Sequence, residues 1–144
     1  MADQTTKFYE FHPTYGHWGV PNIKKEVVFS NLNIEEPITI HHNSIGIRDR
    51  EMNSKKKNRI MCIGGSHTWG AGISEKKRYT DILENELKDS EVYNFGHCSL
   101  GLDQICLFII SDTIKYEVDE IIIEQYPWAL HRVINHFVDE YLRP

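Results

Sequence analysis

One serine of this sequence stands in a glycine-rich turn directly after an apolar run. Residues 60–63 read IMCI and residues 64–70 read GGSHTWG, with Ser66 in the turn. Glycines permit a sharp turn and leave neighbouring amides uncovered, so an anion beside Ser66 would receive several N–H hydrogen bonds. Because ligands of open parallel sheets bind at the carboxyl ends of the strands, we expect Ser66 to lie at a binding edge. These are the requirements of a serine nucleophile for acyl transfer.

Two further loops follow apolar runs and bring candidate contacts to the same edge. Residues 94–104 read NFGHCSLGLDQ, and residues 125–128 read QYPW. Right-handed crossovers between parallel strands place the three loops on one rim. The side chains that we expect to contact substrate on this rim are His67, Trp69, Asn94, His97 and Trp128.

Several of these residues have a structural alternative that the sequence leaves open. Ser66 can cap the helical turn that follows it. His97 is either a base that reaches Ser66 or, as we favour, a loop histidine bonded to backbone. Trp69 and Trp128 either form the floor of a pocket or pack in the core. His67 is adjacent to Ser66, and since neighbouring side chains diverge, we assign it to the rim.

From residue 59 onward, apolar strands alternate with amphipathic helices, which is typical of βαβ units and a parallel sheet. Strands are predicted at 59–63, 91–95 and 118–124, and helices at 74–88, at 102–116 and from Pro127 through Phe137. The isoleucine run 121–123 is typical of a strand that is covered on both faces. The pattern indicates an α/β fold with a core domain at 59–144.

Residues 1–58 form a separate amino-terminal arm in this interpretation. This part is rich in aromatic residues, prolines and histidines and has no sustained helical period. Its best strand candidates are 26–29 and 37–40, which are bounded by asparagine and proline and predict a small hairpin. We interpret the lysines at 55–57 as part of a solvated linker.

Composition limits the partners of the chain. Its 144 residues and net charge of −5 predict one globular unit and argue against a general nucleic-acid surface. There is no run of about 18 apolar residues and no signal-peptide pattern at the start, so we expect no membrane partner and a cytoplasmic location. Three cysteines without paired spacing indicate reduced thiols, with Cys62 and Cys106 in the core.

No cofactor and no metal site is predicted. No histidine pair has the helical spacing of zinc proteases, and no cysteine joins a histidine at zinc-finger spacing. The G-x-x-x-x-G-K-S/T phosphate loop and the G-x-G-x-x-G dinucleotide-binding motif are both absent from the sequence. A helix amino terminus binds phosphate without them, so a small phosphate-ligand binder at the Ser66 turn stays a weaker alternative.

The loops resemble sequence blocks of the GDSL or SGNH hydrolase family. Residues 64–70 are similar to its first block, with Ser66 at the nucleophile position, and residues 94–104 are similar to its second. Residues 12–18 (HPTYGHW) and 43–48 (NSIGIR) resemble the arm that precedes the hydrolase core in a bacterial branch of the family. The resemblance implies a flavodoxin-like, three-layer α/β/α fold and the cleavage or transfer of acyl groups.

The chain departs from the pattern of that family at several positions. Gly65 stands where aspartate is usual, and Ser99 takes the place of a glycine whose amide helps to bind the oxyanion. Trp128 and Ala129 replace an asparagine that is another oxyanion donor. The Asp-x-x-His pair that supplies the orienting acid and the base would lie beyond Pro144.

We therefore expect an SGNH-like acyl-ester hydrolase or acyltransferase with Ser66 as nucleophile. The resemblance implies backbone donors to the oxyanion at Gly65, Ser66 and Ser99 and, as substrate, a small ester or an acylated carbohydrate. Three strands with open edges make an incomplete flavodoxin-like domain, which favours the amino-terminal part of a longer hydrolase, while a second copy would also cover the edge. The alternative is a catalytically degenerate binding or assembly module of the same fold.

Overall fold

The structure is a computed structural model and describes residues 8–53, 58–127, 133, 137–138 and 141–142. Two antiparallel hairpins form its first part. The first hairpin pairs β1 (Tyr9–His12) with β2 (Gly16–Gly19), and the second pairs β3 (Lys24–Val27) with β4 (Ile38–His41). A turn of 3-10 helix (Ser30–Leu32) lies in the connection between β3 and β4. The second hairpin confirms the one predicted from 26–29 and 37–40.

A parallel three-stranded sheet follows the hairpins. Its strands are β5 (Asn58–Gly64), β6 (Ser90–Gly96) and β7 (Glu120–Ile123), in the order β6-β5-β7. Gly64 lies opposite Gly96 and Ile63 lies opposite Ile123, so the three strands end at one edge of the sheet. The predicted strands, their parallel pairing and the α/β class are confirmed.

Helices connect these strands. They are α1 (Ser66–Trp69), α2 (Tyr79–Glu86) and α3 (Leu102–Asp112), and α3 is followed by a 3-10 turn (Ile114–Tyr116). α2 begins later than the predicted start at residue 74. The carboxylate of Asp81 accepts hydrogen bonds from the amides of Lys76 (3.0 Å) and Arg78 (3.2 Å), which holds the preceding residues in a non-helical turn.

The hairpins and the sheet share one hydrophobic core. The indole of Trp18, on β2, stacks on Phe108 of α3 and on His97, with ring centroids 4.8 and 3.9 Å apart. The buried members of this cluster are Tyr15, Trp18, Ile47, Met61, Ile63, Tyr93, Phe95, Leu100, Ile105 and Phe108. The core therefore crosses the arm boundary predicted at residue 58.

Strand β7 and the end of α3 carry exposed apolar side chains. Each of Ile121–Ile123 is at least 37 % exposed, and among the described residues β7 pairs with β5 alone, so the predicted cover on both faces is not present there. Ile110 and Ile114, one helical turn apart, are 79 % and 89 % exposed. Cys62 is buried as predicted, but Cys106 is exposed because it lies on the outer side of α3.

Most of the helix predicted from Pro127 through Phe137 lies outside the described residues. Residues 128–132, 134–136, 139–140 and 143–144 lie outside the described residues, as do the lysines at 55–57. β8 (Phe137–Val138) pairs antiparallel with β9 (Tyr141–Leu142), so the predicted helix does not continue through Phe137. None of the described helices has the length and apolar character needed to cross a bilayer.

Three histidines are buried, His17, His42 and His97, and burial lowers the pKa of the last two. The ring of His42 accepts a hydrogen bond at Nε2 from the Trp69 indole (3.3 Å), so its Nδ1–H donates to the carbonyl of Val20 (3.2 Å). Burial lowers the pKa of His42 to about 4 and that of His97 to about 3. Both rings therefore stay neutral in the folded protein at pH 5 and above.

These buried rings predict a loss of stability in acid. Unfolded histidines bind protons below about pH 6.5, whereas His42 and His97 do not until about pH 4 or below, so protons favour the unfolded state in that window. Between pH 7 and pH 5 each ring should remove about 2 kcal/mol from the free energy of unfolding. Burial raises the pKa of Asp49 to about 6, which opposes this trend by about 1 kcal/mol.

Urea unfolding at pH 7 and pH 5 measures this effect. The wild-type protein should lose stability at pH 5, and His42→Gln should lose less, since glutamine offers a donor and an acceptor but does not titrate. An equal loss in the two proteins would contradict a neutral, buried His42.

Candidate functional site at the Ser66 turn

Ser66 is the first residue of α1, directly after the middle strand of the sheet. Its side chain is half-buried, and its hydroxyl has no hydrogen-bond partner among the residues that the structure describes. The loops after β6 and β7 adjoin this turn: the amide of His97 donates to the carbonyl of Gly64 (3.0 Å), and that of Glu124 donates to the carbonyl of Ile63 (2.9 Å). The three loops therefore leave one edge of the sheet side by side, as the sequence predicts.

A carboxylate satisfies the amino-terminal end of α1. This helix has four residues, too few to be stable alone, so its unpaired backbone groups need partners from elsewhere. Oε2 of Glu124 accepts hydrogen bonds from the amides of Gly65 (3.1 Å) and Thr68 (2.9 Å) and from the Thr68 hydroxyl (2.7 Å). The end of β7 is thereby fastened to the Ser66 turn.

Two glycines at the strand ends make room for these contacts. A Cβ atom on Gly64 would lie 2.5 Å from the Thr68 hydroxyl and 2.6 Å from the Glu124 carboxylate. A Cβ atom on Gly96 would collide with the backbone of α1 at Thr68 and Trp69. Side chains at these positions would push α1 away from the sheet edge.

A buried guanidinium from the arm satisfies the other end of α1. Arg48 is completely buried and donates to the carbonyls of Trp69 (3.1 Å), Gly70 (2.6 Å) and Ile73 (2.7 Å). Burial and the nearby Arg78 lower its pKa to about 10, so Arg48 remains charged at neutral pH. The segment at 43–48 that the sequence singles out thus ends in a structural contact with the turn.

Asn94 is buried, not on the substrate rim as predicted. Its amide donates to the carbonyl of Thr68 (2.5 Å) and the hydroxyl of Thr80 (3.1 Å), and its oxygen accepts from the amide of Gly96 (2.9 Å). The side chain therefore fastens α1 to α2 and β6. Asn94 positions the turn without reaching its surface.

His97 and Trp69 also lie in the interior. His97 is fully buried, its Nδ1 is 3.2 Å from the carbonyl oxygen of Phe95, and it stacks on Trp18, which excludes it as a base on the exposed rim. Trp69 packs in a second cluster with Ile38 and Ile40 of the hairpin, in agreement with the core alternative. Trp128 lies outside the described residues.

His67 is an exposed residue of this turn whose imidazole can take part in proton transfer. Its Nδ1 is 3.0 Å from Oε1 of Glu124, and the side chain is 70 % exposed, with its ring 5.5 Å from that of Tyr126. A carboxylate on Nδ1 fixes the orientation of an imidazole and stabilises its protonated form. Burial acts to raise the pKa of Glu124, but hydrogen bonds from Thr68 and His67 hold it below its usual range, so Glu124 is ionised.

Glu124 is the functional candidate that the sequence analysis misses. It is the last residue of the predicted strand at 118–124, where an acid after three isoleucines is the only sequence signal. Its two oxygens use different donors, one set on the α1 backbone and one on His67. The result is a hydrogen-bonded imidazole and carboxylate beside a half-buried serine.

The predicted oxyanion donors differ in their surroundings. The Gly65 amide donates to Glu124, which engages it within the protein. Ser66 has no partner for its amide among the described residues. Ser99 adopts φ +67°, a left-handed conformation that suits the glycine of the family pattern and costs a serine roughly 1 kcal/mol.

Comparisons with known proteins do not assign a family to this chain. No protein-family model matches the sequence, and no curated protein matches it either. Within the described ranges, no three histidine, cysteine or acidic side chains converge on a position that would hold a metal ion.

The contact between Glu124 and Thr68 can be tested by a double-mutant cycle. Glu124→Gln leaves the donors of the turn poorly satisfied and should lower the free energy of unfolding by about 1–2 kcal/mol. Combined with Thr68→Val, it should show a coupling free energy of about 1 kcal/mol in urea unfolding, because the two side chains share a hydrogen bond.

Glu120 provides the matched control. It lies on the same strand but bonds to Asn58 (2.5 Å), away from α1. Glu120→Gln should therefore couple to Thr68→Val by less than about 0.5 kcal/mol. Equal coupling for both glutamates would mean that the strand, and not the carboxylate, holds the turn.

Proposed function

We propose that this protein is an SGNH-like acyl-ester hydrolase or acyltransferase in which Ser66 is the nucleophile. The observation that carries the proposal is a half-buried serine at the end of the middle strand, next to the hydrogen-bonded pair of His67 and Glu124. The strand order β6-β5-β7 agrees with the first three strands of a flavodoxin-like sheet. In such sheets, ligands bind where successive crossovers run in opposite directions, which here is the gap between β5 and β7.

The proposed reaction assigns one role to each group of this rim. The Ser66 hydroxyl attacks the acyl carbon and gives up its proton, which one water relays to Nε2 of His67, since side chains of neighbouring residues diverge. Amides of Ser66 and Ser99 donate to the oxyanion. The alcohol leaves with the proton from the imidazolium, and water or a second alcohol then attacks the acyl-enzyme with the same base.

Glu124 acts through His67 in this proposal. Its Oε1 holds Nδ1 of the imidazole, which leaves Nε2 directed toward the exposed side. Its Oε2 holds α1 and therefore the backbone of the nucleophile. The family pattern assigns these tasks to an Asp-x-x-His pair, and the described residues offer this pair at the rim instead. A small ester or an acylated carbohydrate remains the predicted substrate.

Serine reactivity provides the test. A fluorophosphonate probe should label the protein at Ser66, and Ser66→Ala should abolish both labelling and hydrolysis of p-nitrophenyl acetate. His67→Gln should lower the rate of hydrolysis by about 10²–10⁴, the usual contribution of a positioned base. Mass spectrometry of the labelled peptide and a colorimetric assay measure the two effects.

Ser74→Ala is the control for these variants, since Ser74 lies on an exposed loop outside the turn. It should keep full labelling and full activity. Labelling that persists in Ser66→Ala would contradict the nucleophile, whereas full activity of His67→Gln would contradict only the base.

A second function, a binding or assembly module of the same fold, has observations in its favour. Glu124 already occupies the amides of Gly65 and Thr68, and the isoleucines at the end of α3 and on β7 are exposed, as apolar side chains at protein contacts are before a partner binds. If the protein is such a module, Ile114→Asp should abolish self-association in sedimentation experiments while Ser66→Ala leaves it unchanged. A monomeric wild-type protein would contradict assembly through this surface.

A further inference from the structure

A cavity of about 430 Å³ lies between the first hairpin and the end of α3, on residues that the proposed reaction does not use. Small-molecule sites usually measure about 300–1,000 Å³. The lining residues that matter here are His12, Tyr15, Trp18, Asp112, Lys115 and Tyr116. One wall is therefore the segment at 12–18, which the sequence analysis singles out and the Ser66 site leaves without a role.

Packed aromatic rings form the floor of this cavity, and because neighbouring rings cover their faces, the floor offers ring edges. The rings of His12 and Tyr15 are stacked, with centroids 4.4 Å apart and planes at 7°. Trp18 and Phe108 are stacked in the same way, at 4.8 Å and 11°. Because these rings are fixed by the core, the floor is formed before any ligand arrives, which lowers the cost of binding.

The rim of the cavity offers both acceptors and donors. The half-buried carboxylate of Asp112 has no hydrogen-bond partner among the described residues. Nδ1 of His12 accepts from the amides of Thr14 and Tyr15 (3.3 Å each), so the neutral ring carries its hydrogen on Nε2. Burial lowers the pKa of His12, which keeps the ring neutral and Nε2–H a donor.

Opposite charges stand close together on this rim. Lys115 follows Asp112 by one helical turn, and its ammonium is 5.1 Å from the ring centre of Tyr116. An anionic ligand meets the Asp112 carboxylate, and a cationic ligand meets the Lys115 ammonium. A neutral ligand with many hydroxyls can use both, as acceptor and as donor.

We propose that this cavity binds a neutral saccharide. The C–H groups of a sugar contact the ring edges of the floor, and its hydroxyls donate to Asp112 and accept from Lys115 and His12. α3 leads from the carboxyl end of β6 to the amino end of β7, so Asp112, Lys115 and Tyr116 lie toward the sheet edge opposite to Ser66. The proposal therefore does not rest on the function proposed for the Ser66 turn.

NMR titration of the ¹⁵N-labelled protein tests this site. The neutral probes are glucose, galactose, mannose, xylose, N-acetylglucosamine and their β-1,4-linked disaccharides, and the charged probes are glucosamine and glucuronic acid. At least one neutral probe should shift the amides of Thr14, Tyr15 and Lys115 in a saturable way. Both charged probes should bind more weakly than the best neutral one.

Variants separate this site from general surface binding. Asp112→Asn keeps the shape but loses the charged acceptor, so it should weaken binding of the best neutral probe roughly tenfold. Asp103→Asn, the same change at the other end of α3, should leave binding unchanged, and the ¹H–¹⁵N spectrum reports whether each variant is folded. Absence of saturable shifts for every neutral probe, tighter binding of a charged one, or equal binding by the two variants would overturn the proposal.

Discussion

The four-residue helix that carries Ser66 depends on polar side chains from three distant parts of the chain. Its amino-terminal amides bind Glu124 at the end of β7, its carboxyl-terminal carbonyls bind Arg48 of the arm, and the carbonyl of Thr68 binds Asn94 of β6. A single helical turn has too few internal hydrogen bonds to offset its loss of conformational freedom. Each outside partner therefore determines whether the turn exists, and leaving one buried group unpaired costs more than a hydrogen bond contributes on average.

This dependence joins the arm to the sheet. Arg48 is completely buried although it carries a charge, and its two terminal nitrogens donate to backbone oxygens, which offsets part of the cost of burial. The arm also supplies Trp18 and Tyr15 to the core beneath α3. Removing residues 8–53 would take away both the contact that ends α1 and the rings that cover His97. The hairpins are thus part of the scaffold of the site.

Sequence patterns predict the sheet well and the interior polar contacts poorly. Continuous β-branched and apolar runs mark β5, β6 and β7, and the pairing confirms them. Hydrophobic periodicity does not show which polar residue near a strand end turns inward, so it assigns Asn94 and His97 to the rim although both are buried. The prediction that Cys106 lies in the core is wrong for a related reason. Ile105 and Phe108 define the buried face of α3, and the next position after Ile105 points about 100° away.

Contacts with residues elsewhere in the chain account for the features that sequence patterns do not predict. Glu124 is fifty-six positions from Thr68 in sequence, and only parallel pairing of β7 with β5 brings its carboxylate to the turn. Likewise, α2 begins late because Asp81 binds amides that precede it, a local choice that competes with the helical period. Ile110 and Ile114 lie on the side of α3 away from Ile105, and the described structure leaves both exposed.

The charge of Glu124 constrains any reaction at Ser66. An oxyanion that forms near an ionised carboxylate is disfavoured by like charge, and the penalty grows in a site shielded from water. In the proposed reaction His67 takes up a proton as the oxyanion appears, and its positive charge lies against Oε1 of Glu124. The carboxylate then stabilises the imidazolium and no longer opposes the oxyanion alone. Without a proton acceptor at His67 the same carboxylate would repel an anion at the turn, so the proposed reaction needs both members of the pair.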